Sequence, residues 1–153
     1  MDAFSILKKD HQKASALFEQ IESEDDHSKR ESLFNTLKDH LERHSELEET
    51  VLYPMLEEKE LTTDQVEESY EDHEDMKDLL DHLDVLEQED PEWLSLFRQL
   101  REVVEHHKEE EESQLFPKAR KALSRYELED LSNQLLQKKK HTGIVEIIND
   151  LVT

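Results

Sequence analysis

An eleven-residue pattern written twice is the strongest constraint this chain places on its own fold. His44-Ser45-Glu46-Leu47-Glu48-Glu49-Thr50-Val51-Leu52-Tyr53-Pro54 and His107-Lys108-Glu109-Glu110-Glu111-Glu112-Ser113-Gln114-Leu115-Phe116-Pro117 both read His-x-x-x-Glu-Glu-x-x-Leu-aromatic-Pro, 63 residues apart. Within each copy a histidine and a glutamate stand four apart, the spacing that stacks two side chains on one face of a helix. A fold for this chain has to hold both copies and give each a reason.

The apolar residues supply the phase. Phe4, Leu7, His11, Ala14, Phe18 and Ile21 recur at alternating steps of three and four, so a first helix from about Asp2 to Glu22 carries His11 on its inward stripe. Leu37, Leu41, His44, Glu48, Val51 and Met55 do the same for a second helix. Val66, Ser69, His73, Met76, Leu80 and Leu83 mark a third, and Trp93, Phe97, Leu100, Val104, His107 and Glu111 a fourth. Superposed, His11 matches His73, His44 matches His107, Glu48 matches Glu111 and Pro54 matches Pro117. The halves are two helix pairs of one design, which predicts an all-α, up-down-up-down four-helix bundle with a pseudo-twofold helix-pair repeat.

Start and stop signals divide the chain. Ser23-Glu24-Asp25-Asp26-His27 is a polar loop, and Ser28 with Glu31 forms a capping box for the second helix. Thr62 with Gln65 opens the third, and Asp90-Pro91 gives the fourth an N-cap followed by proline at its first position. Pro54 and Pro117 each remove a backbone donor late in a helix, so a kink or an early end is expected there. Ser124 with Glu127 starts a shorter fifth helix that ends at Lys138-Lys139-Lys140, with Gly143 as its stop. Ile144, Val145, Ile147, Ile148 and Leu151 then add a last turn or two. The chain reads as one domain over 1–153: a bundle over 1–120 and short C-terminal helices over 124–153.

Composition narrows the partners. With 19 basic and 41 acidic side chains the formal charge is −22, a surface that repels nucleic acid and anionic membranes. No cysteine is present, which removes disulfides, thiolate metal sites and thiol nucleophiles. No apolar run reaches membrane-spanning length and the N-terminus lacks a signal-peptide core, so a cytoplasmic protein is expected.

Four imidazoles and two carboxylates thus point into one interior. Two buried, unpaired carboxylates would cost several kcal/mol each, a penalty that a bound cation removes. Six donors in two symmetric sets suit two metals, held roughly 3.5–4 Å apart in such pairs. Imidazole with carboxylate favours iron and also accepts zinc or manganese. The ferritin-like design needs Glu-x-x-His on two helices, and the chain has that spacing once, at Glu24 and His27 in the polar loop.

These residues resemble the hemerythrin-like family of HHE cation-binding domains over about residues 1 to 120. The early Asp10-His11, the mid-chain Asp72-His73 and the two repeated segments carry the likeness. The resemblance implies two non-haem iron ions joined by an oxo or hydroxo bridge. It also implies ligands His11, His44, Glu48, His73, His107 and Glu111, with Glu48 and Glu111 bridging. The oxygen carriers of that family have a further histidine where this chain has Lys77, and end in His-x-x-x-x-Asp where it has His107-x-x-x-Glu111.

Binding or sensing of dioxygen or a related small oxidant is therefore the leading expectation, ahead of catalysis. Consumption of peroxide or nitric oxide, and iron storage or sensing, are the alternatives. Of the other histidines, His40 is a candidate extra ligand or a support for one, whereas His106 and His82 face away from the stripe. Tyr70, three residues before His73, is a candidate support for a ligand, with ordinary helix packing as the alternative.

Overall fold

The computed structural model describes residues 2–152, with side chains for residues 2–139. Helix α1 spans Ala3–Ser23 and α2 spans His27–Leu47. A π-helical turn, Glu48–Leu52, joins α2 without a break to α3, Tyr53–Glu57. After α4, Thr63–Val85, the design recurs: α5, Pro91–Glu110, a π turn, Glu111–Leu115, and α6, Phe116–Ala122. Helix α7, Arg125–Val152, lies against α1 and the first π turn. The four long rods run up-down-up-down, α1 packing on α2 and α4 on α5. Among the described residues no helix is long and apolar enough to cross a membrane.

The stripes bury as their spacing requires. All six positions of the first, third and fourth stripes are buried. In the second, Met55 is only partly covered and the His44 side chain is 9% exposed. The interior separates into two apolar clusters. One, at the α3/α6 end, gathers Phe4, Leu7, Leu52, Tyr53, Leu56 and Phe116, and takes Leu131 and Leu135 from α7. The other fills the far end with Phe18, Phe34, Leu37, Leu83, Trp93 and Phe97. There Trp93 stacks on Phe97 at 5.2 Å and meets Phe34 edge-on at 5.6 Å. Such aromatic pairs add about 0.5–1.5 kcal/mol each beyond their buried area. The histidines and glutamates form a polar layer between the clusters, walled from solvent at both ends.

Several boundaries differ from the sequence reading. Asp26, not Ser28, caps α2, accepting the Lys29 amide at 3.1 Å, because three residues suffice to turn the chain after Ser23. Thr62 stands at the start of α4, but its hydroxyl donates to the Leu56 carbonyl at 2.6 Å while Gln65 reaches Gln114, so that capping box does not form. Asp90 and Ser124 behave as expected: Asp90 accepts the Glu92 amide, and Ser124 and Glu127 exchange both bonds of a capping box. Helix α7 is one long helix that runs through Gly143, a residue that weakens a helix by about 1 kcal/mol without having to end it. The packing expected of Ile144, Val145, Ile147, Ile148 and Leu151 lies outside the described side chains.

Neither proline ends its rod. The π turn just before each one shifts the backbone ladder by a residue, so Tyr53 N–H reaches the Glu48 carbonyl five residues back and Phe116 N–H that of Glu111. A hydroxyl inside each turn, Thr50 and Ser113, donates to the carbonyl four residues earlier at 2.7 Å. Repeat-matched hydroxyl and proline together make a π turn tolerable where an α-helix would lose a bond without replacement.

Candidate metal centre

The structure brings His11, His44, Glu48, His73, His107 and Glu111 into that polar layer, one imidazole from each rod and a carboxylate from the first residue of each π turn. Donor atoms of His11, His44, Glu48 and Glu111 all lie within 4.8 Å of one another, and those of Glu48, His73 and His107 do likewise. Both carboxylates span the halves. Glu48 Oε1 lies 3.3 Å from His44 Nε2 and 3.1 Å from His73 Nε2, while Glu111 Oε1 lies 3.1 Å from His11 Nε2 and 3.5 Å from His107 Nε2.

Each imidazole turns Nε2 inward because a carboxylate holds its Nδ1. Asp10 of α1 accepts from His44 of α2 at 2.9 Å, and Glu49 after α2 accepts from His73 of α4 at 3.3 Å. Asp72 of α4 accepts from His107 of α5 at 3.0 Å, and Glu112 after α5 accepts from His11 of α1 at 3.0 Å. The supports form a closed ring around the bundle, each rod orienting the histidine of the next. Carboxylates in this position fix the tautomer and raise the basicity of a metal-binding imidazole. Asp10 also takes the ammonium of Lys139 from α7 on its other oxygen.

The electrostatics of the protein groups alone are strained. Burial works against a charged His44, but the Glu48 and Asp10 carboxylates outweigh it and raise its pKa to about 10. His107 is raised in the same way by Glu111 and Asp72 against the cost of burial. Burial would lift both glutamates; the imidazoles beside Glu48 pull it down, whereas Glu48 itself helps push Glu111 up. Protons thus occupy a cluster whose donors converge. Two buried atoms in it, His44 Nε2 and Glu48 Oε2, have no hydrogen-bond partner among the described residues, although His44 Nε2 lies 3.3 Å from the other oxygen of Glu48. Imidazole nitrogens and carboxylate oxygens arranged this way fit a cation of the iron, zinc or manganese type.

Tyr53 closes the layer from the α3 end, and the sequence reading passed over it. Its single O–H donates to Glu111 Oε2 at 2.8 Å, with Glu48 Oε1 at 3.2 Å and His73 and His107 Nε2 both at 3.3 Å around the same oxygen. Burial and the two glutamates hold this phenol well above its ordinary pKa, hence protonated. On an α-helix residues five apart diverge by about 140°; the π turn is what lets Tyr53 and Glu48 face the same point. Its repeat partner Phe116 has no hydroxyl and instead lies parallel to His11 at 6.1 Å.

The remaining candidates fall elsewhere. His40 donates from Nε2 to the Asp10 carbonyl at 2.9 Å and so braces α1 against α2 rather than joining the donor groups. His106 is 68% exposed and pairs with Glu110, and His82 is exposed. Tyr70 packs edge-on against Tyr53 at 5.2 Å. In the sequence the supports appear only as the neighbours of the inward residues: Asp10 and Asp72 open the repeated Asp-His doublets, and Glu49 and Glu112 close the repeated Glu-Glu doublets.

Comparison with known proteins agrees with this geometry. The family model described as hemerythrin HHE cation binding domain matches residues 2–119. A relative named DNA nickase, from Nostoc sp. (strain PCC 7120 / SAG 25.82 / UTEX 2576), is 30% identical over 134 residues, covering 88% of this chain and 38% of that protein. The chain therefore spans well under half the length of that relative. The crystal structure of a hemerythrin HHE cation binding domain-containing protein, the Rv2633c homolog from Mycobacterium kansasii, shares the fold at a TM-score of 0.80. It is 24% identical, with 94% of this chain and 88% of that chain covered.

Proposed function

The chain belongs to the hemerythrin HHE cation-binding domain family, and on that premise we propose that it is a non-haem di-iron protein that binds or senses dioxygen or a related small oxidant. The observation that carries this reading is the pair of donor groups sharing Glu48, with His44 Nε2 and Glu48 Oε2 buried there without a hydrogen bond among the described residues. His11 and His44 would serve one ion, His73 and His107 the other, with Glu48 and Glu111 reaching both. Iron supplies a reversible change of oxidation state in contact with a small oxidant. The protein's part is to hold the six donors, keep each imidazole in one tautomer and wall out bulk water with apolar clusters at both ends.

Tyr53 favours a second reading, an oxidoreductase consuming peroxide, because it places a buried phenol, its oxygen 2.8 Å from Glu111 Oε2, at the edge of the donor groups. DNA nicking is the named property of the Nostoc relative, most of whose length lies outside the match. The charge of −22 here argues against a nucleic-acid partner.

The test is metal analysis of protein purified without added metal, followed by absorption spectra in air and after reduction. Two irons per chain and a visible band that changes on reduction support the proposal. One ion per chain, or zinc with no visible band, overturns it. Steady oxygen evolution from added peroxide selects the second reading over the first.

A further inference from the structure

Two faces of the bundle that the repeat makes equivalent are closed in different ways. Where α1 meets α5, Ser15 donates to Glu105 at 2.7 Å, and the Lys108 ammonium lies 3.2 Å from both Ser15 and Glu105. Arg101 adds ion pairs to Glu19 and Glu22 at 2.7 and 2.5 Å, as Lys38 does to Asp84 on the equivalent face, so the two faces part company at the level of Lys108. Where α2 meets α4, Ser45 occupies the position that Lys108 holds in the other half, too short to cross. An open groove of about 310 Å³ lies there, with Leu41, Ser45, Glu49, His73, Met76 and Leu80 along it.

Behind the groove is a small chamber of about 20 Å³. The imidazoles of His11, His44, His73 and His107 line it, with Val104 across from Met76's helix. Leu41, Ser45, His73 and Met76 line both spaces, so the wall between them is one side chain thick. Met76 is buried within that wall. A thioether on three rotatable bonds is the core side chain best suited to swing without moving backbone. The chamber exceeds the roughly 10–15 Å³ that admits one water, and is far below the volume of an organic substrate.

We infer that small molecules reach the four histidines through the α2/α4 groove, past Met76, and that the chamber behind it restricts the ligand to a few heavy atoms. The ligand class rests on the reading of the centre proposed above; the route rests on the two spaces and their shared wall alone.

Two measurements separate these. In iron-free protein, pressurised dissolved dioxygen should broaden the Val104 methyl resonances. Met76→Trp should cut that broadening at least fivefold and Met76→Ala should raise it at least twofold. In iron-loaded protein, the association rate of azide, followed by stopped-flow absorption at matched iron content, should fall at least tenfold in Met76→Trp and rise severalfold in Met76→Ala. Should Met76→Trp not fold, Ser45→Lys, which spans the groove as Lys108 spans the opposite face, should slow azide at least fivefold. Val104 broadening that is the same in wild type and both Met76 variants overturns the route. Failure of azide to bind iron-loaded wild type overturns the ligand class, while the Val104 response still decides the route.

Discussion

Replacing Asp72 or Asp10 tests whether the ring of carboxylates serves the metal. The two are repeat partners with nearly equal bonds to their histidines, 3.0 Å from Asp72 to His107 and 2.9 Å from Asp10 to His44. Their surroundings differ: the Asp72 side chain is 24% exposed, whereas that of Asp10 is 7% exposed and also pairs with Lys139. Loss of such a support costs about 10–100-fold in metal affinity, or about 1.4–2.8 kcal/mol. Water can take over the bond to His107, so Asp72→Ala belongs at the tenfold end. Asp10→Ala leaves the His44 Nδ1 proton without its acceptor at a position largely shut off from water and belongs near a hundredfold. Anaerobic competition for Fe²⁺ against a chromophoric chelator measures both, with circular dichroism confirming that the helices persist. Asp→Asn at either position retains an acceptor and should recover part of the loss. Changes under threefold in both alanine variants, or a larger loss from Asp72 than from Asp10, would refute the reasoning.

Three further outcomes are expected. His107→Ala should lower iron content sharply while His106→Ala, at an exposed neighbour one residue away, should leave it unchanged; the reverse would mean that the face of α5 has been misassigned. Tyr53→Phe should fold, since Phe116 fills the matching socket, but should lower the stability of iron-free protein by about 1–2 kcal/mol by leaving the buried Oε2 of Glu111 without its donor; an unchanged melting temperature would count against it. In iron-free protein the His44 pKa lies at about 10, above its ordinary 6.5. Its contribution to stability is therefore complete below pH 6.5 and is lost as pH rises through 10. The melting temperature of chelator-treated protein should accordingly fall between pH 7 and 10.5, whereas iron-loaded protein should release metal toward acid pH because coordination needs unprotonated imidazole. A flat alkaline profile without iron would remove His44 as the responsible group.

The bundle was legible in the sequence because the steps of three and four carry through every rod, and a histidine on an apolar stripe can point only inward. Asp90 and Ser124 were legible as caps because their bonds are local. Thr62 was not, because its hydroxyl bonds to a loop carbonyl that comes near only when the chain folds back after α3. The π turns were the main omission. Pro54 and Pro117 signalled disruption, but the form it takes depends on Thr50 and Ser113 supplying donors to the carbonyls there. With that one-residue shift unseen, Tyr53 stood off the stripe and its place between Glu48 and Glu111 had no signal. The supporting carboxylates were hidden for a related reason: adjacent residues on a helix point about 100° apart, so each doublet sends one side chain inward and the other across to a neighbouring rod.

The ring of supports also bears on assembly. Because Asp10 serves His44 within one half, and Glu112 serves His11 as Glu49 serves His73 between halves, each helix pair offers its partner what it requires in return. Two copies of a single helix pair, related by a twofold axis, would satisfy every bond of the circuit. In symmetry terms the bundle is an isologous dimer of hairpins written as one chain. Covalent linkage frees the halves to diverge, as they do in the phenol at Tyr53 against Phe116, the short Ser45 against Lys108, and the α7 lysine that meets Asp10.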